Sequence, residues 1–312
     1  MSQEQNKVFR FHPDTFDVVK KEINLAKEDD MKEAVRILRE WVQMQPHFMT
    51  KDFPDSYLER WIVVSKGSVE KAKSRLDRMC TMRTLLPNFF KESDITQDFN
   101  GLSDKVVAVI CPKLTKEHHR VIVTKTLVND ADADFLSMFY KFSIYIGEVL
   151  RKYDYVTGLH SVYDLQSLDM VKLIAKMNVV EFRNIITVFL EGYSMRVKGI
   201  HLISQSKSIE LLLNIAKTIL KPKIISRMHV HKSYDDLHEF IGKDVLPPEF
   251  GGNERSIFEL HDDLIDVLST KEFREWSHYM YNARTDEELR PSGKFNEDYA
   301  GTPGTFRILS LD

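Results

Sequence analysis

Basic residues crowd one stretch of this 312-residue chain, among them Arg196, Lys198, Lys217, Lys221, Lys223 and Arg227. Arg196 and Lys198 stand two apart, so an extended strand points both the same way. Cations at this density suit a multivalent phosphate, which Arg grips through a two-pronged fork, or the surface of an anionic leaflet. A solvated basic face fits the same residues. Other chemistry-bearing patterns are weaker. The acidic run Asn129–Asp134 would need a central Gly and a Glu at its twelfth position to form an EF-hand, and that position is Tyr140, so an acidic cap for a following helix is the better reading. His229 and His231 alternate along a strand with no third or fourth ligand apparent, so neither they nor His118-His119 are read as a metal centre. No G-x-S-x-G, P-loop or G-x-G-x-x-G is present, and Gly251-Gly252 reads as a turn. Neither Cys80 nor Cys111 sits in a nucleophile motif. The expectation is a non-enzyme with no catalytic residue, no metal ligand and no cofactor.

Composition narrows the partners. Forty-four basic against 47 acidic residues leave a net charge of −3, which argues against a nucleic-acid binder. With 43% hydrophobic and 11% aromatic residues the chain builds a core without staples. Two cysteines exclude a disulfide framework, so a reduced, cytoplasmic setting is expected. The opening MSQEQNKVFRFHPD lacks the apolar centre of a secretory signal, Ser2 excludes N-myristoylation, and no prenylation box closes the sequence. The longest apolar run, Val106–Cys111, falls far short of the about 18 residues of a membrane span.

The elements that must position these residues follow from periodicity. Asp30 with Glu33 reads as an acidic capping box for a helix carrying Met31, Ala34, Val35, Leu38, Trp41 and Val42 on one face, closed by Pro46. SYLERWIVV gives a short helix, and another starts near Ser68 and runs to Pro87. The pattern then changes. Lys105–Cys111 and Val121–Leu127 are β-branched runs, Phe135–Tyr153 is a long helix, and Thr157–Leu165 is a strand. Helices at Leu168–Lys176 and Val179–Gly192 precede the strand Val197–Ile203, the amphipathic helix Ser208–Leu220 and the strand Ile224–Val230. LPPEFGG (Leu246–Gly252) is strong punctuation, and helical pattern continues to about Asn282 before an irregular end. Strands alternating with helices predict an α/β fold, a mostly parallel sheet flanked by helices, preceded by an all-helical N-terminal region.

Three of these segments carry a family resemblance. MRVKGIHLI (Met195–Ile203), then a strand ending MHVH (Met228–His231), then LPPEFGG, together resemble the CRAL–TRIO family of lipid-transfer proteins, in the branch holding the tocopherol-transfer, retinaldehyde-binding and clavesin proteins. The helical front ending in VEKAKSRLD resembles that family's N-terminal domain. The resemblance implies three segments: 1–98 helical, 99–255 lipid-binding, and 256–312 a helical or irregular tail. It also implies a hydrophobic pocket between sheet and helices, under a movable helix matched to Ser208–Leu220. Pocket positions carried over are Phe135, Met138 and Phe142 on the long helix, and Leu159, Ser161 and Tyr163 on one face of their strand. Ile185, Val188, Phe189 and Ile200 follow, with Leu212 and Ile215 from the lid. A filled core would use the same residues. Arg196, Lys198, Lys223 and Arg227 match positions that contact a phosphoinositide headgroup in the tocopherol-transfer relative. The implied function is a monomeric carrier, peripherally and reversibly associated with anionic membranes, that moves one tocopherol, retinoid or carotenoid between them. A phosphoinositide-sensing recruitment adaptor and a phospholipid exchanger are the alternatives.

Overall fold

The computed structural model describes residues 7–291 apart from 92, 94, 96 and 156. The expected irregular end beyond 291 lies outside the described residues. Four helices build the front: α1 (Thr15–Glu22), α2 (Glu28–Met44), α3 (Asp55–Val64) and α4 (Val69–Leu85), followed by the single turn α5 (Pro87–Phe90). Their apolar stripes meet around Leu38, Val42, Trp61, Leu76 and Met79, all wholly buried. The hydroxyl of Ser68 accepts from the Lys71 amide and caps α4 as the sequence predicts. The capping box on α2 is not formed. That helix begins three residues earlier, after an extended Lys27 without side-chain capping, and Glu33 instead takes two hydrogen bonds from Arg36.

The second half alternates strands with helices. β1 (Val106–Ile110), β2 (Arg120–Thr126), α6 (Ala133–Tyr153), β3 (Leu159–Asp164), α7 (Met170–Lys176) and α8 (Val179–Thr187) come first. A π-helical turn (Val188–Gly192) prolongs α8 and leads to β4 (Val197–Ile203), α9 (Ile209–Ile219), the turn α10 (Pro222–Ile225) and β5 (Met228–His231). The short α11 (Tyr234–Leu237) and the long α12 (Ile257–Ser269) and α13 (Lys271–Asn282) complete the order. The sheet runs β1-β2-β3-β4-β5, with β1 antiparallel to β2 and every other pair parallel. β5 begins at Met228, not Ile224: Pro222 sits at the start of α10, where its fixed φ and missing N–H favour a helical turn over the β-branched Ile224-Ile225.

Side chains alternate across this sheet, and each face meets a different apolar layer. One face carries Val107, Val109, Val121, Val123, Val162 and Ile203, packed with Leu237, Leu246, Phe250 and Leu260. LPPEFGG shapes this layer. Gly251 takes a left-handed φ of 71°, and a Cβ on Gly252 would lie 1.9 Å from the Leu246 carbonyl oxygen. The opposite face joins α6, α8 and α9 to the front helices and to α12 and α13 in one continuous apolar cluster. Residues after Asn282 return to the front: Thr285 pairs with Phe48 as an isolated bridge, and Arg290 gives Nη1 and Nη2 to Asp77 at 2.8 and 3.0 Å. The 256–291 segment thus packs within the same core as the front helices.

Candidate functional site

The parallel register sets four residues of the helix-covered face in a row. Ile122 stands opposite Ser161, Ser161 opposite Ile200, and Ile200 opposite Met228. Ile122, Ser161 and Ile200 stand on strands with a neighbour on either side, Met228 stands on the edge strand β5, and all four are half-buried. Tyr163, two residues along β3, is likewise half-buried, while loss of hydration pushes its phenol pKa up. Met138 and Phe139 on α6, Phe189 on the π turn, and Leu212, Leu213 and Ile215 on α9 retain accessible surface against the same cluster. Accessible surface thus remains along this row, and the side chains around it are almost wholly apolar.

The twelve sequence-derived pocket positions divide. Met138, Ser161, Tyr163, Phe189, Ile200, Leu212 and Ile215 are half-buried and keep accessible surface. Phe135, Phe142, Ile185, Val188 and Leu159 are buried at 4%, 2%, 5%, 0% and 7% exposure. Phe142 leans away toward β1, against Phe99 and His261 at 5.6 and 5.9 Å between ring centroids. Val188 starts the π turn that packs on α4, and Leu159 lines a separate cavity at the entrance to β3. Sequence reasoning missed Ile122 and Met228, whose signal is their register with Ser161 and Ile200. α9 buries Ile209 and Ala216 and half-buries Leu212, Leu213 and Ile215, while Lys207, Glu210 and Lys217 face solvent. Leu211, on the outer side of the helix, is 47% exposed.

Arg196, Lys198 and Arg227 gather where β4 and β5 begin. The Lys198 ammonium is held below its ordinary pKa by lost hydration first, then by Arg196, Arg227 and Lys66, against the opposing pull of Glu22. Lys66, in the turn after α3, was not legible from spacing. Arg196 is partly neutralised, donating Nη2 to Glu22 at 2.9 Å, and Arg227 donates Nη1 to the Val197 carbonyl, tying its side chain to β4. Lys223 is exposed on α10, and Lys221 pairs with Glu191 at 3.3 Å.

The histidines form a ladder across the other sheet face. His160 Nδ1 lies 3.1 Å from His201 Nε2, and His201 Nδ1 lies 3.0 Å from His231 Nε2. His119 lies beside His160 with its ring tilted at 5.5 Å, and Phe240 lies against His229 at 4.5 Å. Burial drives His119 and His160 down to about 4 and His201 to about 3, so these rings are neutral at physiological pH. His201 points its two nitrogens at different neighbours, and among the described residues no three groups converge as metal ligands. The acidic run acts as the sequence predicts: Asp132 accepts from the Phe135 amide at 2.7 Å and caps α6.

A helical front thus leads into an α/β domain whose sheet carries one apolar cluster on each face. Residues 104–252 match the model of the CRAL/TRIO domain, and residues 27–99 match that of the Pinta-like UBA domain. The α/β domain, residues 104–252, is a CRAL-TRIO domain. The chain is similar to the alpha-tocopherol transfer protein-like protein of Mus musculus, with 30% identity over 92 residues covering 29% of this chain and 27% of that one. The Homo sapiens protein of the same name matches at 30% over 71 residues (22% and 21%), and Clavesin-1 of Xenopus laevis at 36% over 63 residues (20% and 19%). The chain thus matches about a quarter or less of the length of these curated relatives. A solved structure described as "Crystal structure of Sfh5" superposes over 80% of this chain and 99% of that one, with a TM-score of 0.44 and 11% identity.

Proposed function

We propose that the protein is a carrier for one hydrophobic molecule, which it holds between the sheet and the helices α6, α8 and α9 and moves from one membrane to another. The observation that carries this reading is the half-buried, mostly apolar row Ile122–Ser161–Ile200–Met228 on the helix-covered face. Apolar surface left uncovered inside a fold is costly, and a greasy guest removes that cost at about 25 cal/mol per Å². Ser161 and Tyr163 are the hydroxyl-bearing members of the lining. A guest with several polar groups would leave some unpaired, at about 1–3 kcal/mol each. This favours a tocopherol, retinoid or carotenoid over a phospholipid, and the name shared by the mouse and human relatives supports the first of these.

α9 is the lid in this reading. Its half-buried inner face covers the guest, and Leu211 already presents an apolar side chain outward for a bilayer to receive. Arg196, Lys198, Lys223 and Arg227 hold a phosphoinositide or anionic leaflet beside it, which biases the lid toward opening. Among the described residues no helix is long and apolar enough to cross a membrane, in keeping with contact at the surface only. The chemistry is transport, with no bond made or broken.

Organic extraction of the purified protein, with native mass spectrometry before and after, tests the reading. One hydrophobic molecule per chain is expected, and guest-free protein should reload from vesicles carrying tocopherol, retinoid or carotenoid. Extracts empty of any lipid, with no reloading from these vesicles or from phospholipid alone, refute it. Charge reversal at Arg196, Lys198, Lys223 and Arg227 together should slow delivery to anionic vesicles and leave delivery to neutral ones unchanged.

A further inference from the structure

The π turn Val188–Gly192 is a fixed point between the front helices and α9. It packs on α4, where Gly192 lies so close that a Cβ would come within 2.8 Å of the Met82 sulfur and 3.1 Å of the Met79 sulfur. Val188 and Tyr193 at its two ends are wholly buried. The Tyr193 amide donates to the Val188 carbonyl at 2.7 Å, and its hydroxyl donates to Glu148 on α6 at 2.8 Å. Such turns inside helices are rare and recur at functional positions. This one carries Glu191. One carboxylate oxygen, Oε2, accepts from Arg78 Nη1 on α4 at 3.1 Å, and the other, Oε1, accepts from Lys221 Nζ at 3.3 Å.

Lys221 stands at the joint after α9. The pair Lys221-Pro222 dictates the break there, because the residue before a proline is driven out of the helical region. Leu220 and Lys221 are accordingly extended, with ψ of 141° and 147°, and the chain turns from α9 into α10 across them. The Lys221 side chain is 81% exposed, against 32% for Glu191 and 29% for Arg78. Glu191 is thus anchored on the front helices through one oxygen and holds a flexible, solvated ammonium through the other. We infer that Glu191 is the clasp of the lid: it ties the joint after α9 to α4, so the front helices set how readily the lid opens. Arg78 is a positioning residue, which fixes the carboxylate so that Oε1 faces Lys221. The clasp is built to release. Because the pair keeps contact with water, it is worth only about a two- to fivefold shift in the lid equilibrium, enough to favour closure and too little to lock it. The inference rests on the carrier reading for what an open lid lets out; the clasp itself needs no guest.

Hydrogen exchange of the full chain, read by mass spectrometry of its peptides, tests the clasp. Detached from the sheet, an 11-residue helix is marginal in water, so the α9 amides exchange when the lid opens. Glu191→Gln and Lys221→Met should each speed exchange across 209–225 about two- to fivefold at low salt, and leave α4 and α6 unchanged. The double variant should exchange no faster than either single one, since both remove the same pair. Raising sodium chloride from about 0.05 to 0.5 M should bring the wild type up to the variants and leave the variants where they are. Unchanged exchange in both single variants overturns the inference, as do additive effects in the double variant or a rise spread through the front helices. Delivery of cargo to phosphatidylcholine vesicles should quicken in the variants by the same factor. Protein that holds no cargo yet shows this exchange pattern fails the carrier reading alone, and cargo delivery with α9 exchange indifferent to both variants fails the clasp alone.

Discussion

Replacing Ile200 by Phe asks whether the space above the central row is open. Ile200 lies on β4 between Ser161 and Met228, half-buried, and both residue types suit a strand. Phe adds three carbons to the side chain. If the helices stand off the sheet, those carbons find uncovered apolar walls, and at roughly 0.8 kcal/mol per buried carbon the guest-free protein gains up to about 2 kcal/mol. In a filled core the same insertion costs about 1–3 kcal/mol. The two outcomes differ in sign and by roughly 3–5 kcal/mol, well beyond the error of a urea titration. The assay pairs urea denaturation of guest-free protein with mass spectrometry of extracted cargo. A rise in midpoint with reduced loading is expected. A lower midpoint with unchanged loading would refute the reasoning.

Arg290→Met removes the bidentate partner of Asp77, leaving that buried carboxylate to His47 and Thr81. A loss of about 3–5 kcal/mol is expected at neutral pH, with much of it recovered in the D77N/R290M double variant, as a double-mutant cycle in urea would register. The Asp77 pKa is depressed in the fold despite burial, by hydrogen bonds from His47 and Arg290, so this stabilisation is present above the ordinary carboxylate range and fades as pH falls through the folded value. The histidine ladder acts in a higher window. His160 and His201 titrate near 4 and 3 when folded and near 6.5 when unfolded, so their stabilisation is complete above about pH 6.5 and drains on acidification. Each contributes a slope of up to about 1.4 kcal/mol per pH unit, and His160→Gln should flatten the midpoint-against-pH curve between pH 7 and 5 by about one such share. Asp132→Ala should cost about 1 kcal/mol through the lost α6 cap, measured by thermal melting.

Local signals in the sequence foretold most of the architecture. The long apolar stripe and Asp132 place α6, Ser68 starts α4, and the β-branched runs place β1 to β4. The start of β5 was misread because Ile224-Ile225 favours a strand by type, whereas the preceding Pro222 fixes a helical turn. The α2 cap was misread because Asp30 and Glu33 have the right spacing, while Arg36, one turn on, offers Glu33 a stronger partner. Of the half-buried row, the residues on single elements were legible, because alternation puts Ser161 and Tyr163 on one face. Ile122 and Met228 were not, since only strand register brings them into the row. The same holds for the histidine ladder, assembled from residues far apart in the chain.

The flanks outside the two matched family segments are structural. Phe9 and Phe11 cover the Arg120 guanidinium at 4.9 and 5.4 Å, and the Arg10 amide donates to the Pro112 carbonyl at 2.9 Å. At the other end His261 lies 3.1 Å from the Ala108 carbonyl on β1, and Thr285 reaches back to Thr84 and Phe48. Melting therefore has nowhere natural to divide. Front, sheet and tail should come apart in a single cooperative transition, and a fragment trimmed to 104–252 would lose the covers of its first two strands along with its helical neighbour.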